Sequence, residues 1–261
     1  MSVEPTLGAV KRFWEQNPVA AKSVPHPLGT PEYFAYYDAL REANESPGFA
    51  AALHEYSAFV GKRVLDVGSG NGYVLSRYAS HGALTCGVDL TSTAVGLCRR
   101  RFELMQLPGE FVVGNAECLP FPAATFDCVC SMGVLHHTPD TARAVGEVHR
   151  VLKPGGRLIV MFYHRNSLQY RIKFPLMRLV KGLSMQDSVN LVDGAGNPKG
   201  DVYSRGELRA LLRGFSELQL FAGLLPWHKM PVAQRLVPGP LQKALERRAG
   251  FFLYAKATRP A

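Results

Sequence analysis

The chain has 261 residues, 47% of them hydrophobic and 20% charged, and a formal net charge of +9. This suits one soluble domain with a full core and a small appended lid. No apolar run approaches the ~18 residues of a membrane span, the first residues lack the basic-then-apolar pattern of a secretory leader, and the five cysteines form neither C-x-x-C nor a zinc spacing; a cytoplasmic protein with reduced thiols is therefore expected. The positive charges are dispersed, with no Lys/Arg block interleaved with aromatics, so nucleic acid is not expected as a partner and an anionic small molecule stays open.

In chain order, Leu7 to Gln16 suits a short helix carrying Phe13 and Trp14. Pro18, Pro25 and Pro27 then interrupt regular structure up to residue 29. Thr30 and Pro31 mark a helix start, with Thr as N-cap and Pro at the first helical position. That helix carries Tyr33, Phe34, Tyr36 and Tyr37, and another is expected from Phe49 to Phe59. These N-terminal helices read either as a lid or as plain packing against a sheet.

Val64, Leu65 and Val67 make a short apolar run suited to a buried parallel strand. Gly68, Gly70 and Gly72 then alternate, which fits a tight turn that admits a ligand close to the backbone. Tyr73 to Ser80 has helix-compatible composition. Strand, glycine turn and helix form the binding corner of a doubly wound α/β sheet. The next strand, Thr85 to Val88, ends in Asp89, placed to accept ribose hydroxyls as acidic residues do in nucleoside-binding folds. A helix from Ser92 to Phe102 carries Arg99 to Arg101 near its C-terminus, where the helix dipole alone accounts for them.

The dinucleotide pattern G-x-G-x-x-G fails at its third glycine, which is Tyr73. The chain reads instead D-x-G-x-G-x-G from Asp66 to Gly72. At this point it resembles the class I S-adenosylmethionine (SAM)-dependent methyltransferases of the type 11 small-molecule kind. The resemblance implies that Gly68, Ser69 and Gly70 face the methionine part of SAM and that Asp66 holds its amino end. Leu90 and Ser131 are implied as further neighbours of the cofactor. Gly114 to Phe121, G-N-A-E-C-L-P-F, resembles a second family motif. Its acidic residue accepts from the adenine amino group, and the next backbone amide, here Ala116, meets the ring. This chain has Asn115 instead, which can still accept through its side-chain oxygen but without charge assistance.

Cys128 to Val134 reads as the fourth strand, followed by L-H-H-T-P-D at 135–140, which resembles a fourth family motif. His136 and His137 then lie beyond the strand end, where the methyl group is expected. His136 is the first candidate for orienting or deprotonating the acceptor, His137 the second and His164 the third. A helix from Thr141 to Leu152 ends at K-P-G-G, and Arg157 to Phe162 is the fifth strand. Tyr163, His164, Tyr203 and Asp193 are candidate substrate contacts. A basic amphipathic stretch runs from Arg171 to Lys181, and a glycine-rich loop covers 193–200. Ser204 and Glu207 spell a capping box for a helix through Arg213. Glu217 to Phe221 and Phe251 to Lys256 complete the strands.

The resemblance implies a Rossmann-like α/β fold with a doubly wound, mostly parallel seven-stranded sheet, N-terminal helices and inserted lid segments. The expected divisions are an N-terminal helical segment at 1–60, a SAM-binding core at 61–162, an inserted substrate cover at 163–203 and the rest of the core at 204–261, with a second insertion at 224–249. The expected activity is methyl transfer from SAM, by in-line displacement, to an oxygen or nitrogen of a small metabolite, with carbon open; no metal is expected. Two alternatives stand beside it. One is a quinone- or lipid-directed methyltransferase at a membrane surface, with Arg171 to Lys181 as the contact. The other is a SAM-binding protein without catalysis.

Overall fold

The structure, a computed structural model, describes residues 6–173, 175, 182, 193–194, 196–225, 227 and 231–261. Eight strands form one sheet: β1 Arg63–Val67, β2 Leu84–Asp89, β3 Glu110–Val113, β4 Phe126–Met132, β5 Leu152–His164, β6 Val202–Tyr203, β7 Ser216–Gly223 and β8 Phe252–Thr258. Their order is β3-β2-β1-β4-β5-β8-β7, with β6 attached to β5. β1 to β5 are parallel, and β8 is antiparallel to both β5 and β7. The eighth strand beyond the expected seven is β6, which pairs with β5 at Tyr163 and His164, just past the end of β4.

Two-residue alternation distributes the apolar runs to opposite faces. Val64, Cys128, Cys130, Ile159 and Met161 pack on one side. There they meet α2 (Pro31–Asn44), α3 (Pro47–His54) and α4 (Tyr73–Ser80) through Tyr33, Phe34, Leu53 and Tyr78. Leu65, Val67, Val129, Leu158 and Val160 pack on the other, against Ala144, Val145 and Val148 of α6 (Thr141–Val151) and Leu208 of α7 (Arg205–Leu211). Burial on both faces explains why these strands read as continuous apolar runs.

Local signals set the helix ends. Thr30 Oγ1 caps α2 by accepting from Tyr33 N, and Ser204 and Glu207 form the expected reciprocal box at α7. The helix expected from Phe49 starts earlier, because Ser46 and Pro47 repeat the Thr-Pro signal. It stops at Glu55, whose left-handed backbone (φ 54°) breaks the ladder before a short 3₁₀ turn. β5 begins at Leu152, so the K-P-G-G turn lies inside it, tied to the C-terminal segment by Gly155 N–H donating to Arg259 O.

The five cysteines are free thiols, and only Cys118 is exposed. Among the described residues no helix is long and apolar enough to cross a membrane, and no side-chain cluster suits a metal ion. Most of the stretch from Arg171 to Lys181 lies outside the described residues; Arg171 and Ile172 are exposed.

Candidate functional site

A cavity of about 520 Å³ runs along the carboxyl edge of the sheet. Its wall follows the strand order: Asp89 of β2, Asp66 to Gly70 after β1, Met132 to Val134 after β4, Met161 and Tyr163 of β5, and Phe252 of β8. With strands about 4.8 Å apart, the four steps from β2 to β8 span about 19 Å. The centre lies where the order reverses between β1 and β4, the place where open α/β sheets bind ligands.

At the β1–β2 end, backbone geometry dominates. Gly68 has φ +78°, and a Cβ placed on it would stand 2.2 Å from Val134. Only glycine fits such a backbone with such a neighbour. Asp66, 3% exposed, has its carboxyl pushed up to about 7 by burial, with a smaller push from Asp89. A buried carboxyl without a cation in ion-pair contact among the described residues suits an incoming ammonium, which would restore the charged form. Asp89 Oδ1 accepts from Thr91 N (3.0 Å) and Thr91 Oγ1 (2.9 Å), and Oδ2 accepts from Gly70 N (3.1 Å). Three of its roughly four acceptor positions are filled, which leaves room for one ribose hydroxyl rather than two. Asn115 lines the cavity, but its Oδ1 accepts from Glu117 N at 3.0 Å, so it first holds its own turn. Ser69, Leu90 and Ala116 also line the wall. Ser131 does not; its Oγ donates to Val67 O inside the sheet. The expected cofactor residues, Ser131 apart, therefore meet at one end of the cavity, and they fit SAM.

Two devices hold this end and were not read from sequence. Arg101 is not a solvated helix-end charge: it is 2% exposed, donates from Nε to Asn71 O at 2.8 Å, and pairs both terminal nitrogens with Asp38. It ties the glycine turn to α2. Glu15, on α1 (Leu7–Gln16), accepts from the backbone and hydroxyls of Ser92 and Thr93. The Thr93 hydroxyl above all holds its carboxyl below the usual range, as suits an acid at the N-terminus of α5 (Ser92–Leu104). α1 thereby brings Leu7, Val10 and Trp14 into the cavity wall. Both readings of the N-terminal helices apply: α1 walls the cavity, while α2 packs Tyr33, Phe34 and Tyr37 into the core and also lends Tyr37 and Arg41 to the wall.

At the β4–β5–β8 end the wall is made of side chains from distant segments. His137 is 4% exposed, and its Nδ1 donates to Lys199 O at 2.6 Å. A carbonyl only accepts, which places a proton on Nδ1; in that tautomer the lone pair is on Nε2. Nε2 has no hydrogen-bond partner among the described residues and stands 3.7 Å from Asp193 Oδ2, beyond hydrogen-bond length. Asp193 accepts from Tyr163 OH at 2.5 Å and Asn197 Nδ2 at 3.1 Å. Burial raises its carboxyl, opposed by His137 and by these donors. Trp14 meets the His137 ring edge-on at 5.2 Å.

The three candidate histidines separate. His136 is fully buried, does not line the cavity, and packs with its ring tilted against His137 (4.2 Å) and Tyr163 (4.3 Å). Burial holds it well below the usual histidine range, so it is neutral. His164 is buried with Nδ1 on Gly250 O, and Tyr203 packs on Phe162; neither lines the cavity. Of the expected acceptor contacts, Tyr163 and Asp193 reach it. Phe252, which lines the cavity, and Asn197 and Lys199, which hold Asp193 and His137, carried no sequence signal, because only the fold brings them together.

A mostly parallel α/β sheet with this glycine turn and these two carboxylates defines a nucleoside-cofactor enzyme class. The family model described as "Methyltransferase domain" matches residues 65–160. That match to part of the chain, with the relatives below, supports a class I SAM-dependent methyltransferase domain of the type 11 family with SAM as cofactor. It is 34% identical over 110 residues to a ubiquinone biosynthesis O-methyltransferase of Coxiella burnetii, covering 42% of this chain and 47% of that protein. It is 38% identical over 136 residues to a fatty-acid O-methyltransferase of Mycolicibacterium smegmatis, covering 50% and 46%. The chain thus spans about half the length of these curated relatives. The crystal structure of the cyclase SpnF matches at a TM-score of 0.64 and 20% identity, covering 99% of this chain and 98% of that one, which shows the fold.

Proposed function

We propose that this chain transfers a methyl group from SAM to an oxygen of a small-molecule acceptor, with His137 as the group that orients and deprotonates it. The observation that carries the reading is the His137 ring. It lines the cavity with Nδ1 committed to Lys199 O and Nε2 unpartnered. The names of two relatives, both O-methyltransferases, support oxygen.

SAM supplies a methyl group on a positively charged sulfur, a leaving group that needs no protonation. The chain's own residues do the rest. Asp66 and the turn at Gly68 to Gly70 hold the methionine part, and Asp89 takes a ribose hydroxyl. His137 Nε2 accepts the proton of the acceptor hydroxyl as its oxygen takes the methyl group. Asp193, 3.7 Å away, stabilises the resulting imidazolium. Leu7, Val10 and Trp14 of α1 exclude water.

The test combines methyl-labelled SAM, a fractionated host extract and three proteins: wild type, His137→Ala and His136→Phe. Label should enter the small organic-soluble fraction. His137→Ala should lower turnover at least ~100-fold with SAM affinity nearly unchanged, and His136→Phe should stay close to wild type. Label confined to protein or RNA, or no label with SAM bound, sinks the small-molecule reading. Undiminished turnover in His137→Ala removes that histidine from the mechanism.

A further inference from the structure

The second insertion contains two consecutive helices, α8 (Pro231–Leu236) and α9 (Gly239–Ala249). Neither helix buries any of its described valines or leucines. On α9 two polar residues, rather than leucines, turn inward: Gln242 Nε2 donates to Gln234 O and Val237 O, and Glu246 Oε1 accepts from Leu224 N. The aliphatic residues turn outward: Leu241 is 50% and Leu245 38% exposed. On α8, Val232 and Leu236 are 71% and 75% exposed. Each helix thus presents one aliphatic pair at i, i+4 spacing, which shares a helix face. A domain that used these helices only for packing would show the reverse.

Exposed basic side chains accompany both aliphatic pairs in the two helices. Arg235, Lys243, Arg247 and Arg248 are all exposed. The one acid between 231 and 249, Glu246, is spent on the Leu224 amide. We propose that the outward face of α8 and α9 docks on an anionic lipid bilayer. The aliphatic pairs enter the headgroup–acyl boundary while the long basic side chains reach phosphate. Charge selects the bilayer over a second copy of the chain, because a symmetric dimer through this face would bring like charges together.

The placement ties the surface to the cavity. β7 runs in the same direction as β5, since both are antiparallel to β8, so its end at Gly223 lies on the edge that carries the cavity. The insertion leaves from that edge and returns at Phe252, which lines the cavity. On the methyl-transfer reading, docking presents the β8 end of the cavity to amphiphilic acceptors in the bilayer. The docking itself does not depend on that reading, and the segment from Arg171 to Lys181 is not needed for it.

The test is sedimentation of the full chain with vesicles of phosphatidylglycerol and phosphatidylcholine, against phosphatidylcholine alone, without SAM or acceptor. Binding should require the anionic lipid and weaken at least ~10-fold from low to high salt. Leu236→Ser with Leu241→Ser should lower it at least ~10-fold, as should Lys243→Glu with Arg248→Glu. All four positions are exposed, so thermal unfolding should match wild type. Wild-type protein left in the supernatant, or either double variant binding as wild type does, overturns the proposal. So does a solution dimer abolished by the serine variant, which would make the face a self-association surface. Because this readout needs no turnover, its failure is distinct from failure of the methyl-transfer reading.

Discussion

The two ends of the cavity are built by different means. At the β1–β2 end the determinants are backbone conformation and carboxylates that sit within or just after consecutive strands. At the β4–β5–β8 end they are side chains from five separate stretches: Trp14, His137, Tyr163, Asp193 and Phe252. The first arrangement fixes a constant ligand portion through close approach to the main chain, where little variation is tolerated. The second can change one side chain at a time without disturbing the sheet. A shared cofactor and a variable acceptor call for that division of labour.

The comparison breaks most sharply at Gly68. Gly68→Ala forces a Cβ to 2.2 Å from Val134 at φ +78°. SAM binding by calorimetry should fall at least ~100-fold and stability by about 2–4 kcal/mol. Normal binding would show that the turn does not shape this end.

Asp66→Asn tests the electrostatics of the same end. The Asp66 carboxyl is raised from 3.8 to about 7. Between those values the folded protein keeps a proton that the unfolded chain has lost, so stability falls as pH rises through that window. The asparagine variant removes this penalty. Its cofactor-free Tm should exceed wild type in mild alkali and match it in acid. An ammonium partner requires the ionised form, so wild-type SAM affinity should drop about tenfold from about pH 8 to about pH 6. The variant should bind about tenfold more weakly at the higher pH, with that dependence gone. A pH dependence retained in the variant would assign the titration to another group.

An effect of similar size, on turnover rather than binding, is expected at the other end. Asp193→Asn keeps the acceptor for Tyr163 OH but loses the charge facing His137. Initial rates should show kcat lowered about tenfold, with KM nearly unchanged. A change in KM alone would make Asp193 a binding group rather than a stabiliser of the protonated ring.

Legibility in the sequence followed the same division. Asp66, the three glycines and Asp89 were readable because a strand, a turn and a helix start leave local marks, and the expected elements from β1 to α6 stand close to where those marks place them. His136 and His137 were readable only as a pair. Adjacent residues in a short turn can point opposite ways, and nothing in L-H-H states which ring meets the cavity. Arg101 misled for a related reason: its place near a helix end explains an exposed arginine, whereas Asp38 and the Asn71 carbonyl bury it.

The sequence by itself determined the strands around the glycine turn, the turn itself and the helix caps, since these depend on periodicity and backbone chemistry acting over a few residues. Only the tertiary structure decided which histidine lines the cavity, which residues of the N-terminal helices wall it, and which carboxylate faces His137. Those outcomes depend on contacts between residues far apart in the chain. Their side chains carry no local mark of the neighbour they will meet.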